Sequence, residues 1–215
     1  MIPFNRRFLD SLHDGTVFRE PYRHWVLRDV LPDEVCRALT TLPIPAPEPH
    51  DTAGRRETHN SSRVFFSPAA CREFPVCRVV ADTLAAPEVT RAIATTCATS
   101  LRGSFLRIEY CQDQPGFWLE PHTDIGAKLL TMQIYLSEGG DAESWGTDIL
   151  DPSHAIVRTV PAVYNSALVF VPGKDTWHGY HRRPMSGLRT SLLVNFVKDE
   201  WRSRHELVDP DHPVG

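Results

Sequence analysis

The sequence predicts a mainly β fold with α-helices: a helical N-terminal half supporting a β-barrel-like C-terminal half. Three observations predict it. Residues 101–198 carry a succession of short strand candidates, SFLRIEYC, AKLLTMQIYLS, GTDIL, AIVRTV, NSALVFV, TWHGYH and LRTSLLVNFV. Turn-forming runs separate them (Gln-Pro-Gly, Glu-Gly-Gly-Asp, Asp-Pro-Ser, Val-Pro-Gly and Met-Ser-Gly), which is the punctuation of a β-sandwich or barrel. Before residue 100 the pattern is largely helical and interrupted by prolines.

Taken in order, residues 22–31, YRHWVLRDVL, read as a strand. LPDEVCRALTTL follows as a helix, opened by Pro32 with Asp33 and Glu34 in its first turn, where acids favour the helix dipole. A proline-rich connector covers residues 43–62 and is too long for an ordinary connection, so it reads as a functional or mobile loop. RVFFS is a short strand, and residues 68–100 are mostly helical with breaks near Pro75 and Pro87. The expected organisation is one domain over residues 1–215: 1–100 as helical support and substrate loop, 101–198 as the β core, 199–215 as a C-terminal tail.

Composition narrows the function. A chain of 215 residues can bury a proper core, and 41% hydrophobic with 23% charged residues is the balance of a soluble globular protein. The net charge is −4 with no Lys/Arg run, which argues against a nucleic-acid partner. MIPFNRRFLD has no apolar stretch after its arginines, and no apolar run approaches the ~18 residues of a membrane span, so neither a secretory signal nor a membrane partner is expected. Cys36, Cys71, Cys77, Cys97 and Cys111 are odd in number and never spaced Cys-x-x-Cys, which points to free thiols in a reducing cytoplasm. Nothing in the sequence sets an oligomeric state.

Alternation along the strands sorts the side chains by face. In LLTMQIYL, Leu130, Met132, Ile134 and Leu136 share one face, while Thr131, Gln133 and Tyr135 share the other. In LRTSLLVNFV, Arg189, Ser191, Leu193 and Asn195 lie opposite Leu188, Thr190, Leu192, Val194 and Phe196. In TWHGYH, Thr176, His178 and Tyr180 share a face, and Trp177, on the other, reads as core. A turn around residues 183–187 is expected to fold TWHGYH back on LRTSLLVNFV as a hairpin, bringing His178 and Arg189 together.

His122-Thr123-Asp124 precedes this polar face. Composition alone predicts about 0.7 His-x-Asp pairs and there is one, so the motif means something only in context. Two imidazoles and one carboxylate can occupy one face of an octahedral Fe(II) and leave positions open. His122, Asp124, His178 fifty-four positions later, and Arg189-Thr190-Ser191 eleven after that together resemble the 2-oxoglutarate/Fe(II)-dependent dioxygenases, in particular the prolyl-4-hydroxylase-like branch. The upstream segment RIEYCQDQPGFWLEPHTD is similar to that family too.

The resemblance implies a double-stranded β-helix (jelly roll) with helices packed on the major sheet. It implies Fe(II) held by His122, Asp124 and His178, with 2-oxoglutarate and O2 as cosubstrates and ascorbate as a supporting reductant. Arg189 and Ser191 would take the distal carboxylate of 2-oxoglutarate, since a planar guanidinium fits a carboxylate bidentately. Tyr110 stands where the family places a cosubstrate tyrosine, and Tyr135 and Gln133 are further candidates on the inward face. The implied reaction is hydroxylation of an unactivated C–H with decarboxylation of 2-oxoglutarate to succinate. The expected substrate is a small metabolite or biosynthetic intermediate, with Trp118, Asn60 and Arg63 as substrate contacts. A peptide side chain is the alternative, and a metal-containing jelly-roll binding module without catalysis is the other. His154 and His181 are rival ligands, and Lys128 is given no role.

Overall fold

The structure, a computed structural model, describes residues 3–48, 53–55 and 63–215. The prolines that break the helical pattern turn out to start helices. Pro32 directly precedes α2 (Asp33–Thr40), and Pro68, Pro75 and Pro87 open α3 (Pro68–Glu73), α4 (Pro75–Ala85) and α5 (Pro87–Cys97). Proline suits that position because its missing N–H is unpaired there anyway and its fixed φ is already helical. Ser67 completes the start of α3, its hydroxyl oxygen accepting from the Ala70 N–H at 3.3 Å. One helix was not anticipated: α1 (Phe4–His13) buries Phe8 and Leu12, spaced one turn apart.

The strands form two antiparallel sheets. The larger has seven strands in the order β1 (Thr16–Phe18), β2 (His24–Leu27), β9 (Ala167–Phe170), β6 (Lys128–Tyr135), β11 (Arg189–Val197), β4 (Phe105–Asp113) and β3 (Val64–Phe65). The smaller runs β5 (Leu119–His122), β10 (His178–Tyr180), β7 (Thr147–Leu150) and β8 (Ile156–Val160). The main core lies between the helices and the outer face of the large sheet. Leu130, Met132, Ile134, Leu192, Val194 and Phe196 meet Val80, Leu84, Val89 and Ile93 there. Both long strands therefore alternate as their sequences predict. No helix among the described residues is long and apolar enough to cross a membrane.

The expected hairpin between His178 and Arg189 does not form. β11 is already paired on both edges, with β4 and β6. β10 pairs instead with β5 and β7 in the other sheet. Residues 181–188 thus cross from one sheet to the other, and His178 and Arg189 belong to facing sheets rather than to adjacent strands. Trp177 is also not core: it is half-buried and its ring lies 4.3 Å from that of His154. The C-terminal segment is packed in, with Leu207, Val208 and Val214 buried and a bridge between Leu207 and Arg107. All five cysteines are buried, and none forms a disulfide among the described residues.

Gly146 sets how closely the small sheet can close. A Cβ built there would sit 1.7 Å from the Val160 carbonyl oxygen of β8. Backbone, unlike a flexible side chain, cannot give way locally. Gly146→Ala should therefore destabilise by about 3 kcal/mol, at the high end for overpacking, and lower the melting temperature by roughly 6–12 °C in a thermal denaturation scan.

Candidate metal centre

The two sheets face each other, and their inner faces can be read row by row. Across the large sheet the register aligns Phe18, His24, Phe170, Thr131, Asn195 and Arg107. Across the small one it aligns His122, His178, Ile149 and Arg158. The Phe170 ring lies 4.9 Å from that of His178, which brings the two rows together.

His122 and His178 are cross-strand partners, so their side chains share a face, with ring centroids 4.3 Å apart. Each ring is oriented the same way. His122 Nδ1 is 2.8 Å from the Glu120 carbonyl oxygen, and His178 Nδ1 is 2.9 Å from that of Thr176. A carbonyl only accepts, so both Nδ1 atoms carry the proton and both Nε2 atoms keep a lone pair for a metal. Burial first, and then the neighbouring His122, lowers the His178 pKa to about 4, which leaves a neutral imidazole at pH 7.

Asp124 follows β5 at the turn. Its Oδ2 accepts from the Thr131 hydroxyl at 2.6 Å and its Oδ1 from the Lys128 ammonium at 2.5 Å. Burial alone would raise its carboxyl, but Lys128, His178 and Thr131 outweigh that and hold it far below the usual carboxylate range. Ligand atoms of His122, Asp124 and His178 all lie within 4.8 Å of one another, and among the described residues this is the group that could hold a metal ion. Two free Nε2 atoms and an ionised carboxylate are the donor set a divalent transition metal takes, so the residues fit one. His154 and His181 are not part of it. The His154 ring packs at a tilt against Trp177, and His181 Nδ1 lies 3.0 Å from Asp148 Oδ2.

Lys128 escaped the sequence reading because a lysine at a strand start looks solvated. Its ammonium here supplies the positive charge that balances Asp124. An ammonium and a divalent ion on one carboxylate repel by several kcal/mol even at an effective dielectric of about 20. Lys128→Gln should therefore tighten divalent-metal binding, by about tenfold or more, in calorimetric titration of the metal-free protein with Co(II).

Further along the inner face lies a second polar group. Tyr135 donates to Thr147 Oγ1 at 2.8 Å, Thr147 donates to Gln133 Oε1 at 2.8 Å, and Gln133 Nε2 donates to Ser191 Oγ at 3.3 Å. Three of the cosubstrate candidates, Gln133, Tyr135 and Ser191, are thus joined in one chain. Arg189 is buried beside it, its guanidinium carbon 5.8 Å from the Tyr135 ring and 4.9 Å from that of Tyr180. Nε donates to the Trp145 carbonyl at 2.6 Å and Nη1 to Asp113 Oδ2 at 2.5 Å. The Tyr180 hydroxyl is buried with no hydrogen-bond partner among the described residues. An orphaned hydroxyl donor next to a guanidinium suits a carboxylate guest. Tyr180 could have been found from the sequence, since it shares the face of His178. Asp113 could not: its meeting with Arg189 depends on the β4–β11 register.

Tyr110 is the site candidate that the fold redirects. It pairs with Leu192 on the outer, helix-facing side of the sheet, and its hydroxyl donates to the Leu39 carbonyl at 3.1 Å. Its strand parity matches Ile108 of the core rather than Cys111 and Asp113, so it does not reach the inner face. Arg63 grips Glu109 through two 2.8 Å hydrogen bonds, which turns it toward the protein and not toward a substrate. Asn60 lies outside the described residues. Trp118 is half-buried beside β5, tight against Gly54, where a Cβ would come within 2.7 Å of its ring. Residues 53–55 of the long connector dock here, with the Glu120 N–H donating to the Gly54 carbonyl at 3.0 Å. Glu120 is two residues before His122, so part of the connector runs along the rim of the candidate centre.

No protein-family model matches the chain, and no curated protein matches it in sequence. Solved structures do. A prolyl-4-hydroxylase of Pseudomonas putida superposes with a TM-score of 0.57 at 16% identity, covering 89% of this chain and 97% of that one. The chain has the fold of the prolyl hydroxylases. One from Trichoplax adhaerens, in complex with a hypoxia-inducible-factor degradation-domain peptide, gives 0.57 at 10% identity over 93% of this chain and 91% of that one. The viral collagen prolyl hydroxylase of Paramecium bursaria Chlorella virus-1 gives 0.54 at 13% over 81% and 89%. At these identities the likeness is one of fold.

Proposed function

We propose that this chain is an Fe(II)- and 2-oxoglutarate-dependent dioxygenase that hydroxylates an unactivated C–H bond. The observation that carries the reading is the two-histidine, one-carboxylate cluster of His122, Asp124 and His178 on the inner face between the sheets. The two-sheet topology and the likeness to the prolyl hydroxylases support a double-stranded β-helix spanning one domain. When bound, iron and 2-oxoglutarate supply the oxidant, with succinate and carbon dioxide as by-products.

The chain's own residues do the rest. His122, Asp124 and His178 hold the metal from one side. Arg189 and the Tyr180 hydroxyl take the distal carboxylate of the cosubstrate, with Ser191, Gln133 and Tyr135 lining its path. Tyr22, Tyr135, Ile149, Leu168 and Phe170 form an apolar wall beside His178 that excludes water from the reacting carbon. The near-complete burial of Arg189 disfavours a metal-containing binding module, which would leave that arginine in solvent.

The substrate we favour is a small metabolite or biosynthetic intermediate, with Trp118 at the entrance. The second reading is a peptide side chain. It is favoured by the prolyl hydroxylases among the fold neighbours, one of them bound to a peptide. One assay tests all of this: succinate formation by the purified protein with Fe(II), ascorbate and 2-oxoglutarate, with candidate substrates added. Stimulation by small metabolites and not by proline-containing peptides supports the first reading, and the reverse pattern supports the second. Absence of Fe(II)-dependent turnover together with absence of 2-oxoglutarate binding overturns both.

A further inference from the structure

Asp124 sits at the end of a chain of hydrogen bonds whose direction is fixed by chemistry. Arg107 is 2% exposed, and its guanidinium can only donate. Its Nη1 lies 3.0 Å from Asn195 Oδ1, so the oxygen of that carboxamide must face Arg107. The amide nitrogen is then turned the other way, and Nδ2 donates to Thr131 Oγ1 at 3.0 Å. Thr131 Oγ1 accepts there, which leaves its one hydrogen for Asp124 Oδ2, 2.6 Å away. Arg107, Asn195 and Thr131 are register partners on three adjacent strands, β4, β11 and β6.

The far end is anchored as firmly. Arg107 donates through Nε to Glu206 at 2.5 Å and through Nη2 to Glu109 at 2.9 Å. Arg63 grips the same Glu109. Glu206 comes from the C-terminal segment and Arg63 directly precedes β3, so two peripheral segments fix the guanidinium that begins the chain. This network ends on the carboxylate of the candidate metal centre.

We propose that Arg107, Asn195 and Thr131 are a positioning relay for Asp124, anchored by Glu206 of the C-terminal segment. The relay holds a hydrogen on Oδ2 and so fixes the rotation of the carboxylate that faces the two imidazoles. Outer partners of this kind set metal affinity by about 10–100-fold. The inference rests on the metal-binding reading of the cluster, and it concerns residues that touch neither metal nor substrate.

The test is the affinity of the metal-free full chain for Co(II), measured by calorimetry and by the visible spectrum of the bound ion, in wild type and in Thr131→Val, Thr131→Ser and Thr131→Cys. Valine keeps the shape and removes the hydroxyl. It should weaken binding by about 10–100-fold and shift the Co(II) spectrum. Serine should stay within about threefold of wild type, and cysteine, a weaker donor, should fall between. The graded series keeps the test informative if the valine variant folds poorly, because the cysteine thiol keeps a hydrogen at this position but is a weaker donor and acceptor than the serine hydroxyl, and a thiolate–Co(II) absorption band would reveal direct ligation. Equal affinity across all four overturns the relay, as does a serine variant as weak as valine. A wild type that takes up no Co(II) overturns the metal-binding reading itself, and the relay with it.

Discussion

Replacing Arg189 by methionine should destabilise the fold by about 3–5 kcal/mol, because it takes the guanidinium away from the buried Asp113 carboxylate. For a chain of this size that corresponds to a fall in melting temperature of roughly 6–20 °C. The Trp145 carbonyl, which accepts from Arg189 Nε, loses its donor as well. The double variant Arg189→Met/Asp113→Leu removes both charges and should recover most of the stability. It should not recover 2-oxoglutarate binding, since the guanidinium proposed to take the distal carboxylate is gone. Melting temperature and cosubstrate affinity therefore separate in this pair of variants. If they recover together, Arg189 is a structural ion pair only.

Asp124→Ala should weaken Fe(II) binding by more than about 100-fold and abolish 2-oxoglutarate turnover. The reason is geometric. Asp124 supplies the carboxylate of the cluster, and its loss exceeds the roughly 10–100-fold expected from altering an outer partner. It also leaves the Lys128 ammonium beside the two imidazoles without its anion, which repels a cation further. A melting curve close to that of the wild type shows that the variant is folded when the affinity is measured.

Local patterns in the sequence reveal much of this architecture, and their reach explains what they miss. The inward placement of Thr131, Gln133, Tyr135, Ser191 and Arg189 follows from alternation along single strands, which is a local property. His122 and Asp124 are two positions apart, so one turn brings them to a common point. Family resemblance places Tyr110 at the site, although Leu106 and Ile108, four and two positions before it, already mark its parity as apolar. The expected hairpin failed for a reason that only pairing reveals: β11 has no free edge for β10.

Contacts set by register were out of reach. Asp113 meets Arg189 across 76 positions and Arg107 meets Asn195 across 88, and no spacing rule links them. Lys128 could have been suspected. It stands four residues after Asp124, within reach of it around the turn. The C-terminal segment shows the same limit, since nothing in its composition marks Glu206 as the partner of a buried arginine on β4.

The most direct test of the account is an anaerobic titration of 2-oxoglutarate into the Fe(II)-loaded protein, run beside Asp124→Ala. The wild type should bind one equivalent of iron and then one of 2-oxoglutarate, and should release succinate when air is admitted. The variant should do neither. An iron-loaded wild type that takes up no 2-oxoglutarate, or an Asp124→Ala variant that binds both as the wild type does, would contradict the assignment of His122, Asp124 and His178 as the metal centre of a 2-oxoglutarate-dependent dioxygenase.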